Sequence, residues 1–239
     1  MSPHQEIAAA LVALAMLAGC GAMPKVDSDR TRLSTIHTVA VIRAPEPKTY
    51  TILNMSHPGM MFGLIGGIAA EMDAQSKQET LSTAYREQGV HVTTSLAESI
   101  ANRLKAAGYD ARVEDGPWVE KEGKQTLEFE AIRSDADAVL VAAPALVGFV
   151  APHMGSDYYP TITAVATVLG KDRKQKLYVG YHASGWQMTR EGWRNSPAAV
   201  TYPNFSDIMA DTKASAASLD AAAAAIAATI VQDLPPAVR

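Results

Sequence analysis

The sequence predicts an α+β fold: a mixed sheet built from a β-α-β unit and then an antiparallel three-strand meander, with helices packed on it and a C-terminal helix closing it. Three observations predict this. A β-branched run is followed, after a long insertion, by one amphipathic segment and a second short strand. Three strand-like segments then follow one another, and an alanine-rich apolar segment ends the chain.

Residues 37–43 (HTVAVIR) are β-branched and bounded by the breaker Ala44-Pro45-Glu46-Pro47, which predicts a buried first strand. An insertion spans residues 48–92. Residues 95–107 form the clearest helix. Ser95 with Glu98 fits a capping box, Leu96, Ile100 and Leu104 fall on one stripe, and Gly108 supplies a left-handed stop. Residues 109–113 restart as a strand. Residues 138–150 (AVLVAAPALVGFV) read as a buried strand interrupted by Pro144 and preceded by an acidic turn at Ser134-Asp135-Ala136-Asp137. Residues 159–169 and 177–188 alternate, with a hairpin loop at 170–174 between them. The closing helix is expected over 214–234, with Leu219, Ile226 and Ile230 on one side and Pro235-Pro236 as its stop.

Composition narrows function. The chain has 239 residues, 48% hydrophobic, with a formal charge of −4. Residues 1–19 hold Glu6 and no Lys or Arg, so 24 acidic and 21 basic side chains follow them, a balance of −3. Such a mixed balance offers no electrostatic footprint for nucleic acid and no polybasic segment for anionic lipid. No unbroken run of about 18 apolar residues predicts a membrane-spanning helix. A single cysteine excludes an internal disulfide.

That cysteine ends an apolar run, residues 7–18 (IAAALVALAMLA), of signal-peptide length. Leu17-Ala18-Gly19-Cys20 resembles the lipobox of bacterial lipoproteins. The resemblance implies a signal peptide over 1–19 and a lipid on Cys20, and two or three acyl chains hold a soluble domain stably on a membrane. The leading MSPHQE departs from the pattern in lacking Lys and Arg. Gly21 follows the cysteine where an aspartate is associated with inner-membrane retention, so the periplasmic face of the outer membrane is expected. Residues 20–34 read as the lipidated N-terminus and a polar tether, and 35–239 as one periplasmic domain.

The layout resembles a group of bacterial envelope domains: the amino-terminal domain of the Tol-Pal translocation protein, the periplasmic domain of the curli-secretion lipoprotein, and the lipoprotein activators of penicillin-binding proteins. Residues 37–43, the SLAESIANRLKAAGYDARV segment at 95–113 and SDADAVLVAAPALVGF at 134–149 carry the resemblance. It is architectural, covers most of residues 35–239, and lacks the 48–92 insertion. It implies action by binding protein partners or by assembly, without catalysis.

Within the insertion, residues 60–70 (MMFGLIGGIAA) are apolar, and Gly63 and Gly67 have the spacing that lets helices approach closely. No GK[ST] sequel makes it a phosphate cradle. The segment either packs on its own domain or forms a contact for self-association or a membrane through Met60, Met61, Phe62, Gly63, Leu64, Ile65 and Gly67. Met55, His57, Met60 and Met61 offer donors that suit Cu(I), but methionines in apolar stretches ordinarily pack, and no metal or cofactor is assigned. His153, Ser156 and Asp157 share one loop, whereas triads are assembled from distant segments. Ser184 lacks a nucleophile elbow, His182 reads as a satisfied strand residue, and Asp135 and Asp137 read as a turn. Aromatic residues gather in the second half. Most are expected in the core, and the loop at 191–203, with Trp193 and Tyr202, is where an exposed partner contact is expected. The sequence therefore predicts a non-enzymatic, outer-membrane-anchored envelope protein, with an accessory subunit of an envelope transport system and a periplasmic hydrolase as alternatives.

Overall fold

The computed structural model describes residues 28–55, 63–153, 155–188 and 191–237, and for 63–70 the backbone only. Cys20 and residues 56–62, with Met60, Met61 and Phe62, lie outside the described residues.

A short helix, α1 (Arg30–Leu33), leads into β1 (Thr38–Arg43). The insertion holds β2 (Thr51–Asn54) and α2 (Gly63–Glu87). Then come α3 (Val92–Ala106), β3 (Asp110–Asp115), and a hairpin of β4 (Trp118–Lys121) and β5 (Lys124–Leu127). The meander is β6 (Ala138–Ala151), β7 (Tyr159–Leu169) and β8 (Lys176–Gly185). β9 (Trp193–Pro197), α4 (Phe205–Ala210) and α5 (Thr212–Gln232) complete the chain.

The architecture is α+β. The main sheet runs β3-β1-β6-β7-β8-β9, with β2 also paired to β6. β1 is parallel to β3 and β6, β6-β7-β8 is the antiparallel meander, and β9 is parallel to β8. β6 takes two partners in succession: β1 along residues 138–141 and β2 along residues 148–151. Between them, a register shift at Pro144–Leu146 marks the expected interruption, because proline cannot donate to the ladder. Gly148 allows the second pairing: a Cβ there would stand 1.9 Å from Thr51 O.

Helices α3 and α5 cover one face of the sheet and form the main core with Val39, Val41, Leu140, Phe149, Ile162, Leu219, Ile226 and their neighbours. Ala40, Ile42, Val139 and Val141 on the other face are covered by Leu127, Ile132, Trp118 and Phe129 around the β4–β5 hairpin. α5 is the only described helix long and apolar enough to cross a membrane, and half of that apolar stretch is buried in this domain.

The helix stop at Gly108 (φ +96°) is as expected, but the start of α3 is not. The helix begins at Val92, and His91 at its N-cap makes no side-chain cap bond. The Glu46 carboxylate from the proline turn instead accepts from Thr93 N (3.1 Å) and Thr94 N (3.0 Å). An anion supplied from another segment meets the free N–H groups and the positive end of the helix dipole. Ser95 and Glu98 lie inside the helix, so the expected capping box does not form.

Candidate functional site

Two regions carry the chemistry of interest: α2 in the insertion, and a buried polar cluster beneath α5.

α2 runs alongside β2 in the opposite direction. Tyr50 N donates to Ser82 Oγ (2.8 Å), and Gln78 Nε2 donates to Ile52 O (3.4 Å). Further back, Asp73 and Lys77 lie beside Tyr158, whose hydroxyl bonds Asn54 at the end of β2. Lys77 also stands over the Phe205 ring, 5.9 Å from its centroid. The helix docks through Leu81, Ser82 and Tyr85, all buried, while residues 71–80 are partly or fully exposed. Past Asn54 the sheet has ended. The ten residues from Asp73 back to Gly63 carry the helix about 15 Å further at 1.5 Å per residue. Met72 (67% exposed) and Met55 (42%) mark the point of departure. Gly63, Leu64, Ile65 and Gly67 belong to the N-terminal part of a 25-residue helix.

The second region starts from strand periodicity. Tyr178, Gly180 and His182 occupy one face of β8. Gly180 leaves room for the two side chains to meet above it, since a Cβ there would stand 1.9 Å from Tyr178 Oη. Tyr178 Oη lies 2.8 Å from His182 Nε2 and 2.8 Å from Asp233 Oδ2. His182 Nδ1 lies 2.9 Å from Thr229 Oγ1, and Arg194 of β9 pairs with Asp233 Oδ1 at 2.6 Å. An ionised carboxylate only accepts, so Tyr178 donates to Asp233 and accepts from His182 Nε2–H, which puts a proton on Nε2. The Thr229 hydroxyl donates to Ile226 O (2.9 Å) and stands beside Nδ1. Burial pushes the His182 pKa down to about 4 and the Tyr178 hydroxyl well up. Asp233 caps the C-terminal end of α5, where a carboxylate opposes the helix dipole, and Arg194 offsets that. The cluster fastens α5 to β8 and β9. His182 is fully buried, so no substrate reaches it in this conformation.

The other singled-out residues are tied locally. Ser156 Oγ donates to His153 O (2.8 Å) and accepts from His153 N (3.1 Å), while Asp157 accepts from Thr201 Oγ1. The trio is a turn braced to its surroundings. Ser184 is buried, with no hydrogen-bond partner for its Oγ among the described residues. Asp137 accepts from His37 N (3.1 Å) and Thr38 N (3.0 Å), and Asp135 pairs with Arg112. The Thr38 N–H, followed by other donors, holds the Asp137 carboxyl below its ordinary range. Trp193 is half-buried at the start of β9, its ring 5.6 Å from Tyr181. Tyr202, also half-buried, meets Phe149 edge-on at 5.5 Å and bridges Tyr158 through the backbone. Both rings are spent largely on the fold. Val200, 47% exposed, is the large apolar side chain of that loop that faces solvent. Among the described residues no cluster of three His, Cys, Asp or Glu side chains could hold a metal.

The fold and these two regions define an α+β domain with a polar clamp on its closing helix and one long helix that docks beside β2. No family model matches the chain, and no curated relative does. Among solved structures it is similar to the PelC dodecamer from Paraburkholderia phytofirmans and to a point variant of that dodecamer. Each is 15% identical with a TM-score of 0.38, over 90% of this chain and 99% of the other. A superposition at that level carries no inference of function.

Proposed function

We propose that this chain is a lipoprotein of the bacterial cell envelope, anchored through Cys20 on the periplasmic face of the outer membrane and acting by protein binding or self-assembly, without catalysis. The observation that carries the binding role is the apolar sequence that opens α2. That sequence opens a helix whose buried side chains among the described residues are Leu81, Ser82 and Tyr85, and Met72 and Met55 are exposed. An apolar, uncharged stretch in an insertion that the core layout does not require suits a contact surface. The anchor rests on the Leu17-Ala18-Gly19-Cys20 sequence after an apolar run.

The test joins two measurements. Intact mass of the membrane-extracted protein is expected to show a diacylglyceryl-modified N-terminus at Cys20, lost in Cys20→Ala. Crosslinking in intact cells is expected to place α2 against another protein. Links between copies of this chain assign self-assembly, and reproducible links to one other envelope protein assign an accessory subunit. No links from α2, with Gly63→Leu/Gly67→Leu unchanged in size by light scattering, would defeat the binding role.

A further inference from the structure

Met55, Met72 and Val200 are the large apolar side chains left exposed among the described residues. They come from the end of β2, from α2 and from the loop after β9, and the fold gathers them around Tyr158. Met55 follows Asn54, which bonds the Tyr158 hydroxyl, and Met72 precedes Asp73, which lies with Lys77 beside the same ring. Val200 stands two residues before Tyr202, whose N–H and carbonyl both bond the Tyr158 backbone (2.9 and 2.7 Å). This is the pole where β2 and β6 end and β7 begins. Half-buried Tyr159, Tyr202 and Phe205 fill the space between the exposed side chains. Single apolar side chains scattered over a surface mean little, but methionine and aromatic rings gathered at one place are the make-up of a protein contact.

The charges around this patch are one-sided. Glu71, Asp73, Asp157 and Asp207 are exposed or half-buried there, and Lys77 is the one cation among them. Lys77 pairs with Asp73 at 2.6 Å and covers the Phe205 ring. Asp157 accepts from the neutral Thr201 hydroxyl, and Asp207 stands in the first turn of α4. The next charges outward come in pairs of opposite sign: Lys213 with Asp211, Arg86 with Glu87, and Arg194 with Asp233. Glu191 would offset Arg190, which lies outside the described residues. Glu79 adds a fifth carboxylate on α2, so the balance stays negative even with His153 counted as a cation.

We infer that this pole docks a protein segment whose apolar side chains are flanked by lysine or arginine. The inference rests on the binding role proposed above and adds the chemistry of the partner. The methionines adapt to the partner's apolar side chains, and the carboxylates at the rim steer a cationic segment into place. Nucleic acid and anionic lipid headgroups meet the same carboxylates and are repelled.

The test uses the chain from residue 20 onward carrying Cys20→Ser, which keeps every described residue, and two fluorescent peptides designed as amphipathic helices. Both carry the same leucines; one has lysines on its polar face and the other glutamates. Fluorescence anisotropy is expected to show saturable, salt-weakened binding of the lysine peptide, with the glutamate peptide at least about tenfold weaker. M72S/V200S and E71K/D207K should each weaken the lysine peptide about tenfold, and D110K/E130K at the opposite pole should not, with circular dichroism confirming each fold. Equal binding of the two peptides, or folded pole variants that bind the lysine peptide as before, overturns the inference. Cosedimentation with phosphatidylethanolamine–phosphatidylglycerol vesicles that is lost in M72S/V200S would also overturn it, by assigning the pole to a membrane. Peptide binding at this pole with no crosslink from α2 in cells would defeat the α2 contact and leave this inference standing. Crosslinks from α2 with neither peptide bound would do the reverse.

Discussion

Helices α5 and α2 have similar lengths, 21 and 25 residues, and are held by opposite means. α5 buries one face from Ser215 to Ile230, is capped at its start by Asp211 and is clamped at its end through Asp233. Leu219, Ala223, Ile226 and Ile230 recur at three- and four-residue spacing, and the alanines between them let the helix lie close to the sheet and to α3. α2 buries Leu81, Ser82 and Tyr85 near its C-terminal end, while residues 71–80 are mixed and unburied. A helix held along its length belongs to the cooperative core. A helix held at one end can change at the other with little cost to folding.

That contrast can be broken at several points. Leu219→Ala in α5 should cost about 2–5 kcal/mol of unfolding free energy, because a fully buried leucine leaves a cavity against the sheet. Urea denaturation measures it, and a loss below about 1 kcal/mol would remove α5 from the core. Tyr178→Phe should cost about 2 kcal/mol, since it strips Asp233 and His182 of a shared partner.

The same cluster sets a pH dependence. The His182 pKa falls from 6.5 to about 4 on folding, so between those values the unfolded chain binds a proton that the folded chain refuses. Stability contributed by the neutral imidazole is intact above about pH 6.5 and is lost as pH falls toward 4, by up to a few kcal/mol. A His182→Gln variant should flatten that slope in urea titrations at stepped pH, and an unchanged slope would place the titration elsewhere.

Smaller effects follow. Glu46→Ala removes the cap that α3 receives from outside and should cost about 1 kcal/mol, read as a lower thermal midpoint. At the far end of the comparison, Met72→Ala on α2 should shift stability by less than about 0.5 kcal/mol. A larger shift would mean that this end of α2 is packed within its own domain.

Much of this fold is legible in the sequence where signals are local. The alternation of β7 and β8, the hairpin between them, the Pro144 interruption and the Gly108 stop all depend on neighbouring residues. The cap of α3 is not legible, since Glu46 lies 47 residues from Thr93 and a plausible box at Ser95 and Glu98 competes with it. The β4–β5 hairpin carries a readable signal in Glu122-Gly123, both with positive φ, between two short polar strands. Its weak hydrophobicity conceals it. α2 has no continuous apolar face, so its helical length is masked by the contrast between its apolar start and polar middle. In the polar cluster, Tyr178-Gly180-His182 could be read as one strand face. Thr229, Asp233 and Arg194 join it only through tertiary placement, and the rings of Trp193 and Tyr202 find partners on other strands.

The position of β1 has a mechanical consequence. Residues 28–37 lead within a few positions into a strand that lies between β3 and β6 and runs parallel to both. A pull from the N-terminal side along that strand loads all its register pairs together as a shear joint. Peeling would need an edge strand, and the edges here, β3 and β9, are separated in sequence from the point of attachment. A load applied from the N-terminal side would thus be borne by an inner strand paired on both edges, with the resistance set by the rate of concerted rupture and not by stepwise unzipping.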